Sequence, residues 1–172
     1  GKSDKPKVDY TATFFSNFLV GFLAALGLQR VSLMGHSLGG GIALTFALNH
    51  PASVEKLILV DSVGVGDDIG PLAKFLISFS VFKAKLRKDE TYLSMLRNNN
   101  PKALLDGLEK LKIPTLIVWG ERDGYLPVRQ AYRAHTMIEN SSLYVFKRCW
   151  HAPHKKHPEE FNRLVLEFLS CK

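Results

Sequence analysis

The segment Gly35-His36-Ser37-Leu38-Gly39-Gly40 constrains this chain more than any other. It follows the short apolar run Val31-Ser32-Leu33-Met34 and precedes a helical pattern carried by Ile42, Ala43, Phe46 and Ala47. The first reads as a buried strand and the second as a helix. The chain must therefore pass from strand to helix within a few residues. A serine with glycine two positions away on each side, at such a junction, is the pattern of a nucleophile elbow. A side chain at Gly35 or Gly39 is expected to collide with neighbouring backbone. Ser37 is expected in a strained conformation that lifts its hydroxyl clear of the sheet, with the next helix aiming its N-terminus at the reacting oxygen. The bland reading of the same residues is a glycine-rich turn without chemistry.

The rest of the chain repeats the alternation. Residues 11–26 have helical character and end at Gly27. Residues 38–49 form a helix stopped by Pro51, since proline cannot continue one. Further strands are expected at 57–60, at 115–119 between Pro114 and Gly120, and at 143–146. Residues 158–169 form a last helix with Phe161, Leu164, Val165 and Phe168 on one side. Strands alternating with helices imply an α/β fold, a parallel sheet with helices on both faces. Residues 63–111 break the pattern: Phe75, Leu76, Ile77, Phe79 and Phe82, then Tyr92, Leu93, Met95 and Leu96, are helical in character, with a loop at Asn98-Asn99-Asn100-Pro101. The chain thus divides into residues 1–62 with the elbow, a helical insertion at 63–111, and residues 112–172. An insertion at the carboxyl edge of a sheet tends to form a lid; ordinary packing helices are the equal alternative.

Composition bounds the function. A chain of 172 residues suits one domain, and 46% hydrophobic with 23% charged residues is ordinary for a globular protein. The formal charge of +7 is gathered in clusters at 83–88 and 147–156. Neither carries a nucleic-acid motif, so both read as solvated basic faces and no nucleic-acid partner is expected. Cys149 and Cys171 define neither a disulfide framework nor a metal-ligand spacing. The longest apolar stretch, 14–28, is interrupted by Ser16, Asn17 and Gly21, reads as a packed helix, and gives no expectation of stable membrane insertion. With no leader visible, a cytoplasmic location is the expectation.

A serine nucleophile needs a base, and the base needs an acid to orient it. His151 follows the last strand, and Asp123 lies just past the strand at 115–119. The order Ser37, Asp123, His151 places all three at carboxyl ends of strands, where sites on parallel sheets form. His154 and His157 compete with His151, and Asp61 competes with Asp123. Asp123 fits the chain order better. His36 is read as a supporting residue beside the elbow.

Together, Gly35-His36-Ser37-Leu38-Gly39-Gly40, Trp119-Gly120-Glu121-Arg122-Asp123 with Pro127, and His151-Ala152-Pro153 followed by Pro158-Glu159-Glu160-Phe161 resemble the α/β-hydrolase superfamily. More narrowly they resemble its lid-bearing esterase, lipase and carbon–carbon-bond hydrolase branch. The resemblance implies Ser37 as nucleophile, Asp123 as acid, His151 as base and the Leu38 amide as one oxyanion donor. It implies no metal or organic cofactor, and a small ester or other apolar acyl compound as substrate. Carbon–carbon-bond hydrolases and perhydrolases share the same triad; a non-catalytic binder or an inactive fragment of a longer hydrolase are the other readings. Two departures stand out. Trp150 occupies a position where these relatives usually carry glycine, with room to shift the loop or narrow the site. Gly1-Lys2-Ser3-Asp4-Lys5-Pro6 resembles the end of a segment that comes after the family's fourth strand. That match implies that four strands and the loop bearing a second oxyanion donor are missing. It also implies an exposed edge at 31–34, and one absent donor costs on the order of 100- to 1000-fold in rate.

Overall fold

A computed structural model describes residues 4, 6–90, 92–94 and 102–171. The expected match at residues 1–6 and the expected loop at 98–101 lie largely or wholly outside these residues, as do Met95 and Leu96.

The core is a four-stranded parallel sheet whose spatial order follows the sequence: β1 (Val31–His36), β2 (Val54–Val60), β3 (Thr115–Gly120) and β4 (Ser141–Phe146). Side chains alternate between the two faces with the period of two that a strand imposes. Leu57, Leu59, Ile117 and Trp119 point to one face, where they pack against α1 (Ala12–Ala25), α2 (Leu38–Asn49) and α5 (Arg129–Met137). Ile58, Val60, Leu116, Val118 and Phe146 point to the other, against Phe161 and Val165 of α7 (Pro158–Ser170). All six residues of β3 are buried, as expected of a strand covered on both sides.

Local chemistry sets the helix ends. The Thr11 hydroxyl accepts from the Phe14 amide at 2.9 Å and caps α1. Helix α7 opens with Pro158, Glu159 and Glu160, which suit a helix start. At its far end Lys56 Nζ donates to the carbonyls of Phe168 and Leu169 at 2.9 and 2.8 Å, meeting acceptors the helix leaves free.

The strands run longer than the apolar runs suggested; β2 takes in Glu55 and Lys56 although neither is apolar. Helix α5 went unforeseen. Only Ala131, Ala134 and Gln130 are buried in it, and small side chains leave little periodic signal. In the described part of 63–111 lie α3 (Pro71–Arg87), helical residues 92–94 and the short α4 (Lys102–Leu105), with no strand among the described residues. One more short helix, α6 (Pro153–Lys156), precedes α7. Strand β1 forms one edge of the sheet, and Met34 on it is exposed. Among the described residues, no helix is long and apolar enough to cross a membrane.

Candidate active site

Ser37 occupies the single residue between β1 and α2, at φ 54° and ψ −120°. This left-handed backbone costs a non-glycine residue about 1–3 kcal/mol and persists only when its surroundings enforce it. They do. The Ser37 amide donates to the Val60 carbonyl at 2.9 Å, and its carbonyl accepts from Gly40 and Val63 at 3.0 Å. The elbow is thus tied to β2 from both sides of its peptide.

The glycines divide differently from the expectation. A Cβ at Gly35 would lie 2.3 Å from the Gly39 carbonyl oxygen and 2.6 Å from Gly40 Cα, both backbone atoms that cannot rotate away. At Gly39, by contrast, a Cβ would meet nothing within 4 Å. The expected collision at Gly39 is therefore corrected. The second crowded glycine is Gly40, where a Cβ would come 2.2 Å from Ser62 Oγ. The first turn of α2 is pressed against the end of β2 on the Gly40 side, so Gly39 faces outward.

Three side chains from three strand ends converge. His151 Nε2 lies 2.9 Å from Ser37 Oγ, and His151 Nδ1 lies 2.7 Å from Asp123 Oδ2. A carboxylate accepts, so Nδ1 carries the proton and Nε2 is left to accept from the hydroxyl. The Asp123 side chain is fully buried and that of His151 only 17% exposed, which removes competing water. Asp123 Oδ1 accepts from the amides of Tyr125 and Leu126 at 2.8 and 3.0 Å. Trp119 secures this turn from below, its Nε1 donating to the Leu126 carbonyl at 2.9 Å.

The rivals stand elsewhere. His154 packs against His36 and Phe161, with centroids 4.7 and 5.8 Å apart. His157 stacks on Phe146 at 5.5 Å, in the layer under α7. Asp61 is buried just past β2, where its Oδ1 accepts from the Gly120 amide at 2.8 Å and its Oδ2 has no hydrogen-bond partner among the described residues. Burial, and then the neighbouring Asp123 carboxylate, push the Asp61 carboxyl up to about 7, against the Gly120 N–H that lowers it. His36 Nε2 donates to the His151 carbonyl at 2.7 Å and so pins the loop that carries that imidazole. Burial holds the His36 pKa below its ordinary value. Ligand atoms of His36, Asp61 and His151 fall within 4.8 Å of one another, as a metal site would require. Both His151 nitrogens are already engaged by Ser37 and Asp123, however, so the cluster offers no free set of donors.

Ser37 opens into a cavity of about 470 Å³ lined by Leu38, Val63, Ile69, Ala73, Ile77, Val81 and Leu126, with Asp68, Tyr92, Tyr125 and His151 as polar members. Tyr125, absent from the motifs that singled out the triad, packs its ring against that of His151, tilted by 36° with centroids 4.8 Å apart. The signal for it was local: an aspartate that accepts from amides two and three residues on forms an Asx turn, and the turn fixes the direction of residues 124–126. Trp150 does not line this cavity. Its ring is exposed and reaches Gly124, and Trp150 borders instead a separate opening beside His36, Tyr125 and His151. A larger cavity of about 600 Å³ opens near Arg30, Val54 and Pro114, at the amino ends of the strands. Sites on parallel sheets form at the carboxyl ends, where Ser37 stands.

Comparison with known proteins agrees with this architecture. A family model described as alpha/beta hydrolase fold matches residues 1–77. An alpha/beta hydrolase enzyme from lagoon-sediment metagenome of Mar Chica, Morocco, is 30% identical, with a TM-score of 0.74 over 94% of this chain and 70% of that one. The chain belongs to the α/β-hydrolase superfamily. A Pseudomonas putida 2-hydroxy-6-oxononadienedioate/2-hydroxy-6-oxononatrienedioate hydrolase is 32% identical over 88% of this chain and 66% of its own length. A meta-cleavage product hydrolase from Pseudomonas fluorescens shares the fold, with a TM-score of 0.80 at 24% identity over 98% of this chain and 75% of that one. The chain spans 64% to 66% of the length of curated relatives it matches.

Proposed function

We propose that the chain carries the site of a serine hydrolase acting on small, uncharged carboxylic esters. The observation that supports this reading is the continuous line from Asp123 Oδ2 through His151 to Ser37 Oγ, with contacts of 2.7 and 2.9 Å, at the wall of an apolar cavity. In the proposed reaction Ser37 Oγ attacks the acyl carbon as its proton passes to His151 Nε2. Asp123 holds the imidazole tautomer and stabilises the imidazolium. The oxyanion rests on the Leu38 amide, which, as the first residue of α2, has no acceptor within the helix. The alcohol leaves with the proton from Nε2. Water, activated by the same imidazole, then releases the acid.

Carbon–carbon bond hydrolysis is the second reading, supported by the name of the Pseudomonas putida relative. Compounds named dioates carry two carboxylates. Among the described residues, the only charged side chain lining the cavity is Asp68, whose carboxylate is already paired with Arg129 at 2.7 Å, so the lining offers such a dianion no cation. That favours the uncharged ester. The test is intact-mass analysis after treatment with a fluorophosphonate, which phosphonylates an activated serine. One adduct on the parent and none on Ser37→Ala is expected, followed by faster turnover of p-nitrophenyl butyrate than of a dicarboxylate diketone. A folded parent without adduct would refute the nucleophile assignment.

A further inference from the structure

Helix α3 is apolar on two opposite sides. On one, Ala73, Ile77 and Val81 line the cavity beside Ser37, and Ala73 and Ala84 are buried. On the other, Phe75, Phe79, Phe82 and Leu86 are 68%, 50%, 59% and 69% exposed. At 3.6 residues per turn these four fall within a stripe about 60° wide, opposite the cavity side. Scattered exposed apolar residues are ordinary, but a contiguous stripe marks an interaction surface.

The charges beside the stripe indicate its partner. Lys74 and Lys85 flank it on one side, and Lys83 and Arg87 on the other, all exposed. The helix contains no acidic residue; Asp89 and Glu90 come only after the Lys88 C-cap. Lys83 Nζ lies over the Phe79 ring, 4.4 Å from its centroid, a cation–π contact that sets a basic group directly against the apolar stripe. Aromatic and leucine side chains centred between two basic margins are what an acyl-chain layer beneath anionic headgroups accommodates. A second copy of this face would instead set four cations against four.

We propose that the outer face of α3 docks on an anionic lipid surface. The helix would lie in the interface with its four large apolar side chains below the headgroups and its basic residues among them. Because its inner face lines the Ser37 cavity, docking sets that cavity beside the acyl chains. This goes beyond the hydrolase reading and does not rest on it, because the Ser37→Ala protein should dock as well as the parent.

The test is flotation of the protein with vesicles of phosphatidylcholine alone and of phosphatidylcholine with phosphatidylglycerol. The parent and Ser37→Ala should float with the mixed vesicles and not with the neutral ones. Binding should weaken from 0.1 to 1 M salt, as the screening length falls from about 10 to about 3 Å. Lys83→Gln with Lys85→Gln should lower the partition coefficient about 25-fold, from roughly fivefold per basic residue. Phe79→Ser with Phe82→Ser should abolish flotation of a protein that circular dichroism shows still folded, since about half of each ring is already in water. The proposal is overturned if the folded parent floats with neither composition, if it floats equally with both, or if the lysine variant binds like the parent. A concentration-dependent dimer dissolved by the phenylalanine substitutions, without flotation, would overturn it in favour of a second copy on this face.

Discussion

Replacing Gly35 by alanine tests whether the elbow is as tightly built as the structure describes. The new Cβ would lie 2.3, 2.5 and 2.6 Å from Gly39 O, Gly39 C and Gly40 Cα. All three are backbone atoms, so relief requires the first turn of α2 to move away from β1. Overpacking of this kind costs 1–3 kcal/mol where side chains can yield, and about 3 kcal/mol or more where they cannot. For a domain of this size, 1 kcal/mol moves the melting temperature by roughly 2–4 °C. Gly35→Ala is therefore expected to melt about 6–12 °C below the parent. Gly39→Ala is the matched control: two glycines four residues apart in one motif, one crowded and one open. Gly39 lies in the first turn of α2, so alanine there should be neutral or stabilise by up to about 1 kcal/mol. Thermal unfolding followed by circular dichroism reads both. Fluorophosphonate labelling should be slowed in Gly35→Ala and retained in Gly39→Ala. Equal destabilisation by the two substitutions, or a Gly35→Ala protein that melts with the parent, would refute the packing described for the elbow.

Asp61 makes stability pH-dependent. Its folded pKa of about 7 lies above the ordinary 3.8, so the folded protein keeps a proton that the unfolded chain releases between these values. Stability should then fall as pH rises through this window and level off above 7, by about 3 kcal/mol between pH 5 and 8. Asp61→Asn, which keeps an acceptor for the Gly120 amide, should remove that slope from urea midpoints; an unchanged slope would show that Asp61 is not the group responsible. Trp119→Phe deletes the donor to the Leu126 carbonyl. It should cost about 1–3 kcal/mol in urea unfolding and slow serine labelling, because the turn that holds Asp123 loosens; a variant equal to the parent in both would refute the coupling. His36→Ala should slow labelling by releasing the His151 carbonyl, while His36→Gln, whose amide nitrogen reaches the same acceptor, should recover much of it; equal rates in the two variants would show that this hydrogen bond is idle.

Some of this was legible in the residues because it is local. The glycines and Ser37 between a strand and a helix, the proline that stops α2, and the short apolar runs of β2 and β3 are properties of a few neighbouring residues, and backbone sterics act at that range. The order of Ser37, Asp123 and His151 along the chain is likewise sequence information. Which imidazole meets Ser37 and which carboxylate meets that imidazole is not. His151, His154 and His157 lie within seven residues, and Asp61 and Asp123 both come just after strands, so local chemistry does not separate them. The sheet order and register decide, by lining up the carboxyl ends of β1 to β4 so that Asp123 reaches His151 and Asp61 stops at Gly120. The same holds for the glycines. Gly39 is the glycine of the motif and Gly40 only follows it, yet the approach of Ser62 from the end of β2 crowds Gly40 and leaves Gly39 open. The stripe on α3 is the converse case: its apolar residues read from the sequence equally as a lid or as packing helices, and only the packing of Ala73 and Ala84 inward turned Phe75, Phe79, Phe82 and Leu86 to solvent. Contacts between residues far apart in the chain depend on how the layers stack, and that is a property of the whole fold.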